Sequence, residues 1–274
     1  MHRLVRQVRF SITPFSKRVE TGANSYASKP CGEGLSLFLG LWVEVAGPVD
    51  PDTGFVINVT EIDRLVRRHV VPIFKEMVGR RYGKAQSVSL GDTSEALRSA
   101  WRVLQRRLPG RQLTRLGLDL TPFRRLEIMA EDAEMVYFSE KFEFAAMHTL
   151  WNPKFSKRKN LEVFGRCANP TGHGHNYVLE VVVETPQRAR NWSIGRFETI
   201  VDKEFISLVD HRNLNVDLRW FHNRITTVEN IAAYAWQRLQ GKFGQARLAK
   251  VTVWETDKTY CSYTAENPAV ESHK

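Results

Sequence analysis

Cys167 stands six residues before His173, and His173 and His175 form a His-x-His pair, a combination of residue types that can hold a metal ion and move a proton. The apolar run Val178-Leu179-Glu180-Val181-Val182-Val183 that follows reads as a strand. Residues two apart on a strand face the same side. If strand geometry reaches back to His173, the two imidazoles aim at one point. Gly174 between them adds no side chain and permits close backbone approach. A third imidazole is available at His148, which ends the strand-like segment Phe144-Ala145-Ala146-Met147-His148. Three neutral imidazoles with an open fourth position describe a catalytic zinc site, whereas a structural zinc more often uses cysteines and closes all four positions.

Cys167 has two readings. Near a cation, its pKa falls and it becomes a base or nucleophile; otherwise it is a small buried hydrophobe. Asp210-His211 is an adjacent acid–base couple ahead of the loop-like Arg212-Asn213-Leu214-Asn215. Glu255 ends a strand in Val251-Thr252-Val253-Trp254-Glu255. Facing inward, it is a buried carboxylate, costly unless it binds something, and suited to a bidentate grip on a guanidine-like or 2-aminopyrimidinone edge. Thr226 or Thr227 can cap a helix, with Glu229 supplying acid in its first turn.

These residues lie in the second of two halves that repeat at about 135 residues, a period suited to duplicated domains. In the second half, strands are expected at 136–144 and 177–184, helices at about 197–209 and 227–240, and strands near 248–255 and 259–264. The first half has strands at about 3–12 and 35–46, helices at about 60–78 and 94–108, and strands at about 113–120 and 123–130. Leu113-Thr114-Arg115-Leu116-Gly117-Leu118 parallels Leu248-Ala249-Lys250-Val251-Thr252-Val253. Each half is then β-β-α-α-β-β, so the fold class is α+β, with two four-stranded antiparallel sheets each carrying two helices on one face. The expected domains are residues 1–130 and 131–274. Open sheet edges favour joining edge to edge with other units.

The 274 residues are 42% apolar and 26% charged, as in soluble globular proteins. Apolar runs are too short to span a bilayer. No apolar secretory segment follows the basic start, and three scattered cysteines fit a reducing cytoplasm rather than a disulfide framework. The net charge of +10 lies entirely in residues 1–125, which hold 21 Lys+Arg against 11 Asp+Glu. This surface either attracts an anion or is simply solvated, and no nucleic-acid motif accompanies it.

Five ordered segments together resemble the 6-pyruvoyltetrahydropterin synthase family: Phe144–His148, Phe164–Cys167 through Gly172–Tyr177, Asp210–Leu214, Thr227–Ala232 and Trp254–Asp257. The resemblance implies the T-fold for each half and zinc on His148, His173 and His175. It implies Cys167, Asp210 and His211 as the proton-transfer set, Glu255 as anchor of a pterin ring, and Thr227 and Glu229 as further substrate contacts. The implied reaction is loss of triphosphate from 7,8-dihydroneopterin triphosphate. Family sites lie where subunits meet, so Asp210-His211 could serve a cysteine of another copy, and three chains could supply the family's six T-folds. The Cys-x5-His-x-His spacing looks like the pyruvoyl-type enzymes; the related 6-carboxytetrahydropterin synthases of queuosine synthesis have a shorter one. The alternatives are therefore the carboxy product or a non-catalytic tandem T-fold binding protein whose basic half docks a polyanion.

The first half departs from the family pattern. Alignment on Phe10 sets Pro14 at His148, Gly32-Glu33-Gly34-Leu35 at Gly172–His175, Ala27 at Cys167 and Leu120 at Glu255. Cys31 falls elsewhere, and no Asp-His pair follows the first helix. The loop Gly47-Pro48-Val49-Asp50-Pro51-Asp52-Thr53-Gly54 keeps a family-like hairpin that the second half lacks. The first half is expected to be a T-fold without metal, proton-transfer set or pterin anchor.

Overall fold

Alternation of apolar and polar residues builds the strands of each unit, and apolar stripes on the helices cover one face of them. The computed structural model describes residues 1–14, 36–108, 110–185 and 192–264. The chain divides into two compact units between Phe138 and Ser139.

In unit 1, β1 (His2–Ile12) pairs antiparallel with β2 (Leu37–Gly47), from His2 opposite Gly47 to Ile12 opposite Leu37. α1 (Val59–Leu65), a π turn (Val66–Val70) and α2 (Val71–Tyr82) follow without a break, then α3 (Leu90–Gln105). β3 (Gln112–Asp119) and β4 (Arg124–Met129) complete the sheet order β1-β2-β3-β4, and a short 3-10 turn (Ala130–Asp132) ends the series. Val8, Phe10 and Ile12 of β1 and Leu41, Val43 and Val45 of β2 are buried, as are Val66, Phe74, Leu97 and Leu104 of the helices. At roughly 1.5–3 kcal/mol for each large apolar side chain, these contacts dominate the unit's stability. α3 starts at Leu90, four residues earlier than its apolar stripe predicts. Ser89 and Asp92 form a capping box that satisfies the first backbone N–H groups.

Unit 2 repeats the order with additions. β5 (Val136–His148) and β6 (His173–Thr185) are each 13 residues long. Between them lie α4 (Lys157–Phe164), capped by Ser156, and a 3-10 turn (Gly165–Ala168) that the apolar pattern did not foretell. α5 (Ile194–Val201), a π turn (Asp202–Ile206) and α6 (Ser207–Val209) form one helical path. The chain then lays β7 (Arg212–Asn213) parallel to β5 at Ala146 and Met147. α7 (Leu214–Asp217), a 3-10 turn (Arg219–Phe221), α8 (Val228–Leu239), β8 (Arg247–Thr256) and β9 (Thr259–Thr264) follow. The strand order is β5-β6-β8-β9, with β7 beside β5.

The duplication is written in backbone irregularities. β2 against β3 shifts register between Glu44 and Val45, passing over Thr114; β6 against β8 shifts between Val182 and Val183, passing over Ala249. Both units also carry a π turn in the first helical path. The bulges correct the sequence alignment in the second strand. Val43 faces Leu116 as Val181 faces Val251, so the strands correspond 138 positions apart. His175 then matches Leu37 rather than Leu35, because the loops before the two strands differ in length. Ala27, Cys31 and the stretch Gly32-Glu33-Gly34-Leu35 lie outside the described residues.

Candidate metal and proton-transfer site

Strand geometry does extend back to His173, and it brings the three imidazoles together. β5 ends in His148, on the same face as the buried Phe144 and Ala146. On β6, His173 and His175 share the face of buried Tyr177, Leu179 and Val181. One ring nitrogen from each of His148, His173 and His175 lies within 4.8 Å of the others. His148 Nε2 and His173 Nε2 are 3.1 Å apart. Two ligands of one tetrahedral ion, with bonds of about 2.0–2.1 Å, lie roughly 3.3 Å apart.

The chemistry of the donors fits a cation as well. His148 is 1% exposed, and its Nδ1 lies 2.7 Å from the carbonyl oxygen of Thr226. A carbonyl can only accept, so Nδ1 carries the proton and Nε2 turns its lone pair to His173. His173 Nδ1 and His175 Nε2 are buried and lack a hydrogen-bond partner among the described residues. Buried polar atoms are seldom left without one. Burial pushes the His148 pKa down to about 4, opposed by the Thr226 carbonyl and aided by the neighbouring histidines. Burial also lowers His175, with Glu255 opposing. His148 and His175 are therefore neutral at neutral pH, the form that ligates metals.

The glycine that matters is Gly172, not Gly174. Gly172 has φ +77°, and a Cβ there would meet Met147 Cε at 3.0 Å and the His148 carbonyl oxygen at 3.1 Å. A Cβ on Gly174 would find its nearest neighbour at an ordinary 3.7 Å.

Glu255 faces the triad, with Oε1 3.5 Å from His148 Nε2 and 3.8 Å from His175 Nε2. β8 shifts register against β9 between Trp254 and Thr256, which puts Glu255 on a bulge. Bulges re-aim side chains beside functional sites. Tyr177, fully buried and stacked on Phe144, joins the group: its hydroxyl lies 3.4 Å from His148 Nδ1 and donates to Glu255. Burial and the Glu255 carboxylate push the Tyr177 pKa up, so the hydroxyl stays protonated. Sequence reading passed over Tyr177, although its two-residue step from His175 marks the shared face.

Cys167 sits half-buried in the 3-10 turn, and its carbonyl accepts from Leu150 N–H at 2.8 Å. Burial and then Glu255 push its thiol up, the reverse of the lowering that a neighbouring cation would give. Asp210 and His211 form a pair, with His211 Nδ1 2.9 Å from Asp210 Oδ2. The Ala145 N–H bond, reinforced by His211, holds the Asp210 carboxyl below its ordinary range. His211 adopts φ +55°, and its side chain is 83% exposed. No hydrogen bond links this pair to Cys167 or the triad among the described residues. Thr227 caps α8 by accepting from Asn230 N–H. Glu229 lies in the first turn, exposed, with its charge felt by Cys261. Neither makes a hydrogen bond or ion pair to the triad among the described residues.

Residues 137–266 match the family model described as 6-pyruvoyl tetrahydropterin synthase. The human 6-pyruvoyl tetrahydrobiopterin synthase is 34% identical over 131 residues, covering 47% of this chain and 90% of the human protein. The chain belongs to the 6-pyruvoyl tetrahydropterin synthase family. The enzyme of that name from Drosophila melanogaster is 33% identical over 138 residues, covering 49% of this chain and 82% of its own length. The solved structure of the Caenorhabditis elegans family member shares 32% identity at a TM-score of 0.44, covering 48% of this chain and 96% of that one. The family match spans the triad, Cys167, Asp210-His211 and Glu255. No helix among the described residues is long and apolar enough to cross a membrane.

Proposed function

We propose that unit 2 is a zinc-dependent 6-pyruvoyltetrahydropterin synthase-like lyase acting on 7,8-dihydroneopterin triphosphate, and that unit 1 is a T-fold without catalytic residues. The observation that carries this reading is the convergence of His148, His173 and His175 with Glu255 beside them. A zinc ion on these three rings would supply Lewis-acid polarisation of a side-chain hydroxyl. Glu255, braced by Tyr177, would accept two N–H groups of the pterin ring and fix its orientation. Cys167, once deprotonated, would take a carbon-bound proton from the side chain. His211, oriented by Asp210, would deliver and collect protons as triphosphate departs.

The exposure of His211 supports a shared site in a homo-oligomer, in which Asp210-His211 of one copy serves Cys167 of another. Three chains would supply six T-folds, and a mass measurement in solution tests that number. The decisive experiment is incubation of the zinc-loaded protein with 7,8-dihydroneopterin triphosphate and identification of the product by mass spectrometry. Release of triphosphate with the pyruvoyl product is expected. A carboxylated pterin would reassign the reaction within the family, and an unconsumed substrate would remove the enzymatic reading.

A further inference from the structure

We infer that Asn215 is a positioning residue that holds the His148 end of β5 and the Asp210-His211 turn in one fixed relation. The role rests on the reading of His148 as a metal ligand only for its metal readout.

Segment 210–215 is fastened along β5 at both ends. At one end Asp210 Oδ1 accepts from Ala145 N–H at 2.8 Å, and His211 N–H donates to the Ala145 carbonyl at 2.6 Å. β7 continues the pairing, with Arg212 opposite Ala146 and Asn213 opposite Met147. At the other end a side chain takes over from the backbone. Asn215 Oδ1 accepts from Thr149 N–H at 2.8 Å, and Asn215 Nδ2 donates to the Thr149 carbonyl at 2.9 Å. One amide thus does for Thr149 what a strand neighbour does elsewhere.

Thr149 follows His148 directly. Thr226 Oγ1 donates to the same Thr149 carbonyl at 3.1 Å and lies 3.5 Å from Asn215 Oδ1. The Thr226 carbonyl is the acceptor of His148 Nδ1. The backbone of His148 and the acceptor that sets its tautomer therefore both bear on Asn215. Asn213 Oδ1 in turn accepts from Asn215 N–H at 3.1 Å, closing the path back to the turn. Asparagine suits the place because it offers a donor and an acceptor on one short arm; aspartate keeps only the acceptor, and leucine keeps neither.

The test uses the full chain with ring-15N histidine, first free of metal. The parent should show a His148 Nδ1–H slow to exchange with solvent, and a protected His211 amide. Asn215→Leu should speed exchange at both by tenfold or more, with Asn215→Asp between the two. Asn160→Leu is the control. Asn160 is a fully buried amide of α4 that binds the backbone of Asn152, Phe155 and Ser156 and makes no hydrogen bond to β5 or the turn among the described residues. It should lower Tm and leave both signals unchanged. Zinc affinity, measured by chelator competition, should then fall roughly 10–100-fold in Asn215→Leu and not in the control. A folded Asn215→Leu protein with both N–H groups protected as in the parent overturns the inference. A parent that binds no zinc but loses both protections on Asn215→Leu overturns the metal reading and leaves the positioning role standing.

Discussion

In unit 1 the first helical path runs on to Tyr82; in unit 2 its counterpart stops at Val209 and the chain turns back onto β5. The π turns of the two paths are 136 positions apart, which sets buried Phe74 opposite Asp210. Phe74, Met77 and Val78 continue an apolar stripe at helical spacing, so burial keeps unit 1 helical. Unit 2 has Asp210 and Asn213 in place of Phe74 and Met77, with only Leu214 apolar in place of Val78, and short polar side chains compete for backbone groups. The Asp210-His211 pair therefore sits where a helix ends early. A similar contrast holds at the strand ends, where Pro14 and Leu120 stand for His148 and Glu255. The two units share the bulge of the second strand against the third, but the β8–β9 bulge that carries Glu255 has no counterpart between β3 and β4.

The largest test of this contrast is metal content. One zinc per chain is expected, and His173→Ala should abolish tight binding, a loss above about a thousandfold given ~10–16 kcal/mol for a complete zinc site; two ions per chain by elemental analysis would break the comparison. Next, Cys167→Ala should retain the metal and lose turnover by roughly 10²–10⁴-fold, the range for removing a positioned acid–base group. Undiminished single-turnover rates in that variant would end its assigned role. Glu255→Gln should cost about 1.5–3 kcal/mol, roughly 10–100-fold in kcat/KM, because a charge-assisted hydrogen bond is lost. The matching change in unit 1, Leu120→Glu, should leave kcat/KM alone.

Smaller effects separate capping from binding. Ser89→Ala and Thr227→Ala should each cost about 1 kcal/mol in denaturant unfolding, since both cap helices. Only Thr227→Ala should also raise KM, if Thr227 meets substrate as the family resemblance implies. The smallest effect is on pH dependence. The Asp210 carboxyl is held below its ordinary value by Ala145 N–H and then His211, so its stabilisation is present above the usual carboxylate range. That contribution is lost as pH falls through the lowered pKa. After solvent screening it is under about 1 kcal/mol, and Asp210→Asn should flatten that part of a Tm-against-pH curve.

Much of this was legible in order and period alone. The β-β-α-α-β-β repeat follows from alternation on strands and stripes on helices, and the five motif segments contain every triad residue. The reach of β6 back to His173 also follows from the two-residue step. Helix ends were read less well: the capping box at Ser89 and Asp92 moved the start of α3, and the short polar α4 has no apolar stripe to announce it. The two-residue error in matching His175 arose because loops of unequal length precede β2 and β6, and only cross-strand register reveals the offset.

The residue types at the site were determined by the sequence: three imidazoles, a thiol, an acid–histidine pair and a carboxylate. Tertiary structure decided what each one faces. It showed that the Thr226 carbonyl sets the His148 tautomer, that Tyr177 braces Glu255, that Gly172 is the glycine under constraint, and that His211 points to solvent. These contacts join residues 24 (172 − 148) to 78 positions apart. Local propensity acts over a few residues, whereas such pairings depend on strand register, bulges and burial, which only the packed chain establishes.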